Sequence, residues 1–167
     1  MLELKDVSVV FNEGTVNEKV ALNNINLALD KGDFVTIIGS NGAGKSTLFQ
    51  AISGAVDTKR GNIILNGRDI TFEPEYKRSK GIGRLFQDPL KGTAPNMTIE
   101  ENLHLSNQRG KHFSLSLMSH RHREEFKKAL MELELGLEER LDSKVGLLSG
   151  GQRQALTLLM ATLVTPD

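Results

Sequence analysis

"GSNGAGKST", residues 39–47, decides how the rest of this 167-residue chain is read. It satisfies G-x-x-x-x-G-K-[ST] through Gly39, Gly44, Lys45 and Ser46. The spacing has a physical reason. Gly39, Gly42 and Gly44 are expected at positive φ, letting the backbone turn tightly so that N–H groups from Ser40 through Thr47 converge on one point as an anion nest. A helix starting directly afterwards aims its N-terminal dipole and unpaired N–H groups at the same point. A nucleotide polyphosphate suits such a cradle of Gly39, Ser40, Asn41, Gly42, Ala43, Gly44, Lys45, Ser46 and Thr47. Lys45 is then expected to reach the β- and γ-phosphates, and the Ser46 hydroxyl to ligate Mg²⁺.

The flanks supply the context this motif requires. "FVTII", residues 34–38, is a continuous β-prone run, as in a strand covered on both faces, and "KSTLFQAISG" has helical spacing at Leu48, Ala51 and Ile52. A glycine-rich turn merely joining strand to helix is the plain alternative, and strand, loop and helix in this order speak against it.

Upstream, Leu2 and Leu4, then Val7, Val9 and Phe11, and again Leu22, Ile25, Leu27 and Leu29, alternate with polar residues. Half-buried antiparallel strands follow. Downstream, Asn66-Gly67 between β-prone stretches predicts a tight hairpin, and residues 83–87 predict another strand. From Thr98 the character becomes helical as far as Leu141. "TIEENL" contains a Thr-x-x-Glu capping box, and "REEFKKALMELEL" sets Phe126, Ala129, Leu130 and Leu133 on one helical face. A basic segment, residues 107–123, is expected to form a loop between the helices.

Composition excludes several classes. Twenty-one basic residues balance twenty-one acidic ones, so no global field favours nucleic acid or anionic membrane. With no cysteine there are no disulfides or thiolate metal sites. The N-terminus lacks the pattern of a secretory signal, and the longest apolar run, Ala155 to Val164, is too short to span a bilayer. The cytoplasm is the expected compartment, with membrane association only through a partner.

A second motif closes the chain. In "LLSGGQRQALTLLMATLVTPD", residues 147–167, Ser149 and Gln152 make an S-x-x-Q capping box for a helix that is apolar on nearly every side and expected to be buried all round. Gly150 and Gly151 also make its N-terminus a place where backbone can approach an anion. Both readings stand at this point.

With Leu148 the motif is "LSGGQ", and here the chain resembles the ATP-binding subunit of ABC transporters. The resemblance covers essentially all 167 residues: an antiparallel N-terminal section, "GSNGAGKST" as Walker A, Gln87 in "RLFQDP" as the Q-loop, a helical subdomain from Thr98, and "LSGGQRQAL" as the signature. It implies a P-loop NTPase of α/β class, with an antiparallel β subdomain, a parallel-sheet core and a helical subdomain. The divisions expected are 1–97, 98–148 and 149–167.

The resemblance further implies a head-to-tail pair of such subunits, with each ATP held between the Walker A of one and the signature of the other. Ser149, Gly150, Gly151 and Gln152 are then expected to contact the nucleotide in trans. Gln87 is expected to reach Mg²⁺ and to relay nucleotide state to the transmembrane permease subunits. Phe11 matches the aromatic that stacks on adenine in family members, with a core strand residue as the alternative. "QDPLKGTAPNMTIEENL" looks like a subgroup serving importers of aromatic or other amino acids, fed indirectly by a solute-binding protein. The implied location is the cytoplasmic face of the membrane, and no nucleic acid is expected as partner.

Phosphoryl transfer also needs an apolar strand ending in Asp, followed in the family by a catalytic Glu. Asp30 ends an alternating, antiparallel-type stretch before the cradle and does not qualify, and Pro166 breaks whatever precedes Asp167. The four histidines precede the signature, so none matches the family's switch His; solvated helix and loop positions are expected for them. The chain therefore reads as an N-terminal fragment, marginally soluble and with negligible hydrolysis of its own. Two rivals remain. A soluble ABC-type ATPase of DNA repair or translation uses the same sandwich but carries coiled-coil insertions or a second cassette, while a non-catalytic nucleotide-binding module would bind ATP without turnover. A GTPase is disfavoured because no N-K-x-D motif follows the cradle.

Overall fold

The computed structural model describes residues 1–109 and 120–164. The chain divides into two compact units, Met1–Arg78 and Ser79–Asp167, each with its own core.

The first unit is built on an antiparallel sheet in the order β2-β1-β3-β4, from β1 (Leu2–Phe11), β2 (Lys19–Leu29), β3 (Arg60–Leu65) and β4 (Arg68–Asp69). The apolar positions of β1 step by two except between Leu4 and Val7. That three-residue step would turn Val7 and Val9 to the opposite face of a regular strand. The chain absorbs it in a bulge: Asp6 lies at φ 53°, the register shifts between Leu4 and Val7, and all three apolar side chains stay buried. β2 makes the matching slip between Leu22 and Ile25, where Asn24 also lies at φ 53°. Asn66 and Gly67, at φ 51° and 77°, make the tight β3–β4 turn that the Asn-Gly pair predicts, opposing Leu65 to Arg68. Helix α1 (Lys45–Ser53) buries Leu48, Ala51 and Ile52 and meets β2.

Two expected strands are not formed. Residues 34–38 and 83–87 carry no strand ladder, and Phe34 and Ile38 are 95% and 90% exposed. A buried parallel strand is held by neighbours on its edges and layers on its faces. None of the described segments supplies these, so the expected parallel-sheet core is absent among the described residues and their only sheet is antiparallel. Phe34 and Ile38 consequently remain as uncovered apolar surface.

The second unit packs α3 (Ile99–Asn107), α4 (His120–Met131) and α5 (Gly150–Thr162) around Leu103, Phe126, Leu130, Leu141 and Leu156. Thr98 and Glu101 close the capping box of α3 in both directions. α4 ends at Met131, and with Glu134 at φ 54° the chain turns, so Leu133 packs against the core from a turn rather than from a helix face. α4 also begins earlier than expected: residues 120–123 of the anticipated basic loop are helical. Asn107, at the other end of that expected loop, closes α3, while residues 110–119, with His112 and Phe113, and residues 165–167 lie outside the described residues. α5 corrects a further expectation, because it buries one face through Leu156 and Thr157 while Leu158 is half exposed. Among the described residues no helix is long and apolar enough to cross a membrane.

Candidate functional site

In the first unit the glycine loop leads straight into α1, whose N-cap is Gly44. Gly42 and Gly44 adopt φ 84° and 88°, as the anion nest requires, whereas Gly39 is not at positive φ; a Cβ there would instead meet the Ala43 Cβ at 3.3 Å. Gly44 is doubly constrained, since a Cβ would also fall 2.6 Å from the Ala21 carbonyl oxygen. A glycine N-cap brings no side-chain acceptor, and the first turn of α1 carries no acidic residue. The leading N–H groups are thus left open to an external anion. Lys45 folds back over the loop, its ammonium donating to the carbonyl oxygens of Gly39 at 2.6 Å and Ser40 at 2.7 Å. Its charge therefore sits at the mouth of the nest. Ser40, Asn41, Gly42, Ala43 and Ser46 are exposed, while Lys45 and Thr47 are half-buried. This cradle fits the phosphate end of a nucleotide. Phe11, in the same unit, is half-buried at the end of β1 opposite Lys19.

In the second unit the signature helix begins differently. The Ser149 hydroxyl accepts from Gln152 N at 3.3 Å, and Gln152 Oε1 accepts from Ser149 N at 3.2 Å, so the local capping reading holds. Gln152 also donates to the Leu135 carbonyl. Neither Gly150 nor Gly151 is at positive φ, and a Cβ built on either meets nothing within 4 Å. No packing among the described residues requires glycine there, and glycine in a helix costs about 0.5 to 1 kcal/mol relative to alanine. Open space beside the Ser149-capped helix N-terminus is what both glycines provide. Arg153, in the first turn, would oppose the helix dipole if left free. It instead donates to the carbonyls of Leu148 (2.9 Å), Gly146 (3.2 Å) and Val145 (3.4 Å), fixing the loop that leads into Ser149.

Gln87, the remaining expected site residue, is exposed in the irregular stretch before Asp88 caps the short turn Pro89–Gly92. It belongs to the second unit and the Walker A cradle to the first. Two of the four histidines depart from the solvated positions expected: His104 and His122 are half-buried, their rings 6.0 Å apart between α3 and α4, with His122 stacked on Phe126. Among the described residues no group of three or more His, Asp or Glu is placed to hold a metal ion.

Sequence reasoning passed over the arginines. Arg153 had a signal, its place immediately after the signature. Arg123, expected in the basic loop, bridges the buried Glu100 and the exposed Asp142, 2.8 Å from the latter. Arg78 is buried at 3% exposure and had no local signal, because its partners are backbone carbonyls, two of them more than twenty-five residues away.

Comparison with known proteins follows the same outline. The family model described as ABC transporter matches residues 22–167. A tyrosine transport ATP-binding protein of Clostridioides difficile is 41% identical over 166 residues, covering 99% of this chain and 66% of that protein. A xylose/arabinose import ATP-binding protein of Sulfolobus acidocaldarius is 35% identical over 96% of this chain and 61% of its own length. The chain thus spans about two thirds of the length of these relatives, or somewhat less. Among solved structures, a dimeric post-hydrolysis state of an ATP-binding cassette bound to ADP and Pi superposes with a TM-score of 0.81, at 28% identity over 99% of this chain and 71% of that one.

Proposed function

This chain belongs to the ABC transporter family, and from that premise we propose that it serves as the ATP-binding and hydrolysing subunit of an importer, binding MgATP at the Walker A cradle. The observation that carries the reading is the uncapped N-terminus of α1 with the Lys45 ammonium held at its mouth. Lys45 exchanges its loop carbonyls for β- and γ-phosphate oxygens, residues 39–47 donate backbone N–H groups, and Phe11 stacks on the adenine. Ser46 and Gln87 are the residues assigned to Mg²⁺. MgATP supplies the phosphoryl group and the charge neutralisation for its transfer.

The signature acts in trans. In a head-to-tail homodimer, Ser149, Gly150, Gly151 and Gln152 face the nucleotide bound by the partner subunit, and the open space above the glycine pair supports this role. Residues 1–97 hold the nucleotide, residues 98–148 form the helical subdomain that passes its state to membrane-spanning permease subunits, and residues 149–167 present the signature. The subunit sits peripherally on the cytoplasmic face, with a solute-binding protein delivering substrate to the permease and no nucleic acid involved. The 167 residues alone are expected to hydrolyse ATP negligibly, since among the described residues no apolar strand ending in Asp follows the cradle.

The likeness to a tyrosine transport protein supports an amino-acid solute, aromatic in particular. A role in DNA repair or translation has no such support. Uptake of labelled tyrosine by cells lacking this protein tests the assignment: the wild-type gene restores uptake and Lys45→Ala does not. Uptake that is indifferent to the gene would overturn it.

A further inference from the structure

We propose that Arg78 is a positioning residue for the nucleotide cradle, holding α1 by its C-terminal end so that its N-terminal end is presented at a fixed place to the phosphates. The inference rests on the nucleotide-binding reading above.

Every nitrogen of this buried guanidinium is engaged. Nη1 donates to the carbonyls of Ala51 (2.7 Å) and Ile52 (3.0 Å), Nη2 to Thr71 (2.6 Å) and Nε to Glu73 (2.8 Å). Ala51 and Ile52 lie in the last turn of α1, where helix carbonyls lack partners four residues on; the Gly54 N–H also reaches the Ala51 carbonyl, at 3.2 Å. A cation is also what the negative end of the helix dipole favours, and α1 has no basic residue of its own in that turn. Arg78 supplies it from the end of the short helix α2 (Glu75–Arg78). The other two carbonyls belong to the segment that follows β4. One side chain thus ties that segment to the phosphate-binding helix.

The site is shaped for a guanidinium. The helix C-cap, Gly54, passes so close that a Cβ there would fall 2.9 Å from Arg78 Nε. Among the described residues no carboxylate hydrogen-bonds it directly; burial opposes its charge, while Glu73, Asp57 and Asp69 favour it at longer range. A group of net charge enclosed by carbonyls suits the fixing of geometry better than the gaining of stability, since desolvation offsets much of what the bonds return. α1 is nine residues long, about 13 Å. A shift of its C-terminal end is therefore carried, through a rigid rod, to the Lys45 end. Lysine cannot substitute, because a single ammonium lacks the planar fork that spans four carbonyls.

The test is equilibrium binding of a fluorescent ATP analogue with Mg²⁺ to the full chain, with circular dichroism melting recorded on each protein. Arg78→Lys and Arg78→Ala are each expected to bind about tenfold more weakly while still melting cooperatively, and ~20 mM methylguanidinium is expected to restore Arg78→Ala to within about twofold, whereas sodium chloride at equal ionic strength does not. Wild-type affinity in Arg78→Ala, or weakened binding that methylguanidinium does not recover, overturns the proposal. Lys45→Ala separates the two levels. If the wild type binds no better than Lys45→Ala, the nucleotide-binding reading itself has failed; if Lys45→Ala loses binding and Arg78→Ala does not, only the role of Arg78 falls.

Discussion

Gly44 stands so close to Ala21 that a Cβ on the glycine would lie 2.6 Å from the Ala21 carbonyl oxygen, and the same residue holds φ 88° as the N-cap of α1. The cradle is therefore anchored against β2. Gly44→Ala must relieve both the clash and the left-handed backbone, and is expected to cost about 2 to 4 kcal/mol in chemical denaturation and to abolish MgATP binding. Unchanged stability with unchanged binding would contradict this placement of the loop.

The signature glycines are expected to behave in the opposite sense. Because a Cβ on Gly150 or Gly151 meets nothing within 4 Å among the described residues, alanine at either position should stabilise the chain by about 0.5 to 1 kcal/mol through helix propensity. In the assembled transporter the same substitutions should reduce ATP turnover at least about tenfold, the equivalent of ~1.4 kcal/mol in the transition state. Stability that rises with no loss of turnover would remove the in-trans role.

Two capping boxes offer a matched comparison. Thr98→Ala and Ser149→Ala each delete an N-cap acceptor, and each should lower stability by about 1 kcal/mol. Only the second removes a group assigned to nucleotide. Turnover by the assembled transporter should accordingly fall much further for Ser149→Ala than for Thr98→Ala, and equal losses would reduce the signature serine to a cap.

Much of the local structure was legible because it depends on near neighbours. Asn66-Gly67 fixed its hairpin through two positive φ angles, Thr98 and Glu101 closed their box, and Leu48, Ala51 and Ile52 marked the buried face of α1. The three-residue steps from Leu4 to Val7 and from Leu22 to Ile25 were also present in the sequence, and they announce the bulges at Asp6 and Asn24. Residues 34–38 misled because a continuous apolar run becomes a strand only when other strands pair with it. Arg78 was silent for a related reason: backbone carbonyls have no sequence signature. The backbone of the glycine loop followed the motif at Gly42 and Gly44, which hold the positive φ expected of them, whereas Gly39 does not and instead lies close to Ala43. The glycine pair at 150 and 151 could be read in two ways, and the open space above it now gives the second reading a physical basis.

Acid should weaken the second unit through a defined pair. The Arg123 guanidinium, hydrogen-bonded to Asp142, holds the Asp142 carboxyl below the usual carboxylate range. A carboxylate with a lowered folded pKa contributes stability that is fully present above its unfolded value and is lost as pH falls through the folded one. The melting-temperature difference between wild type and Asp142→Asn should therefore be constant at neutral pH and shrink from about pH 4 downward. A difference that grew on acidification would place the pair's effect elsewhere.

The account rests most heavily on nucleotide at the Lys45 end of α1, and titration of the purified chain with MgATP, followed calorimetrically, tests it most directly. Saturable 1:1 binding is expected, with the order ATP, then ADP, then AMP, and a loss of about a hundredfold or more in Lys45→Ala as the charge facing the phosphates is removed. Binding of equal strength by the wild type and Lys45→Ala, or no preference for the longer phosphate chain, would contradict it.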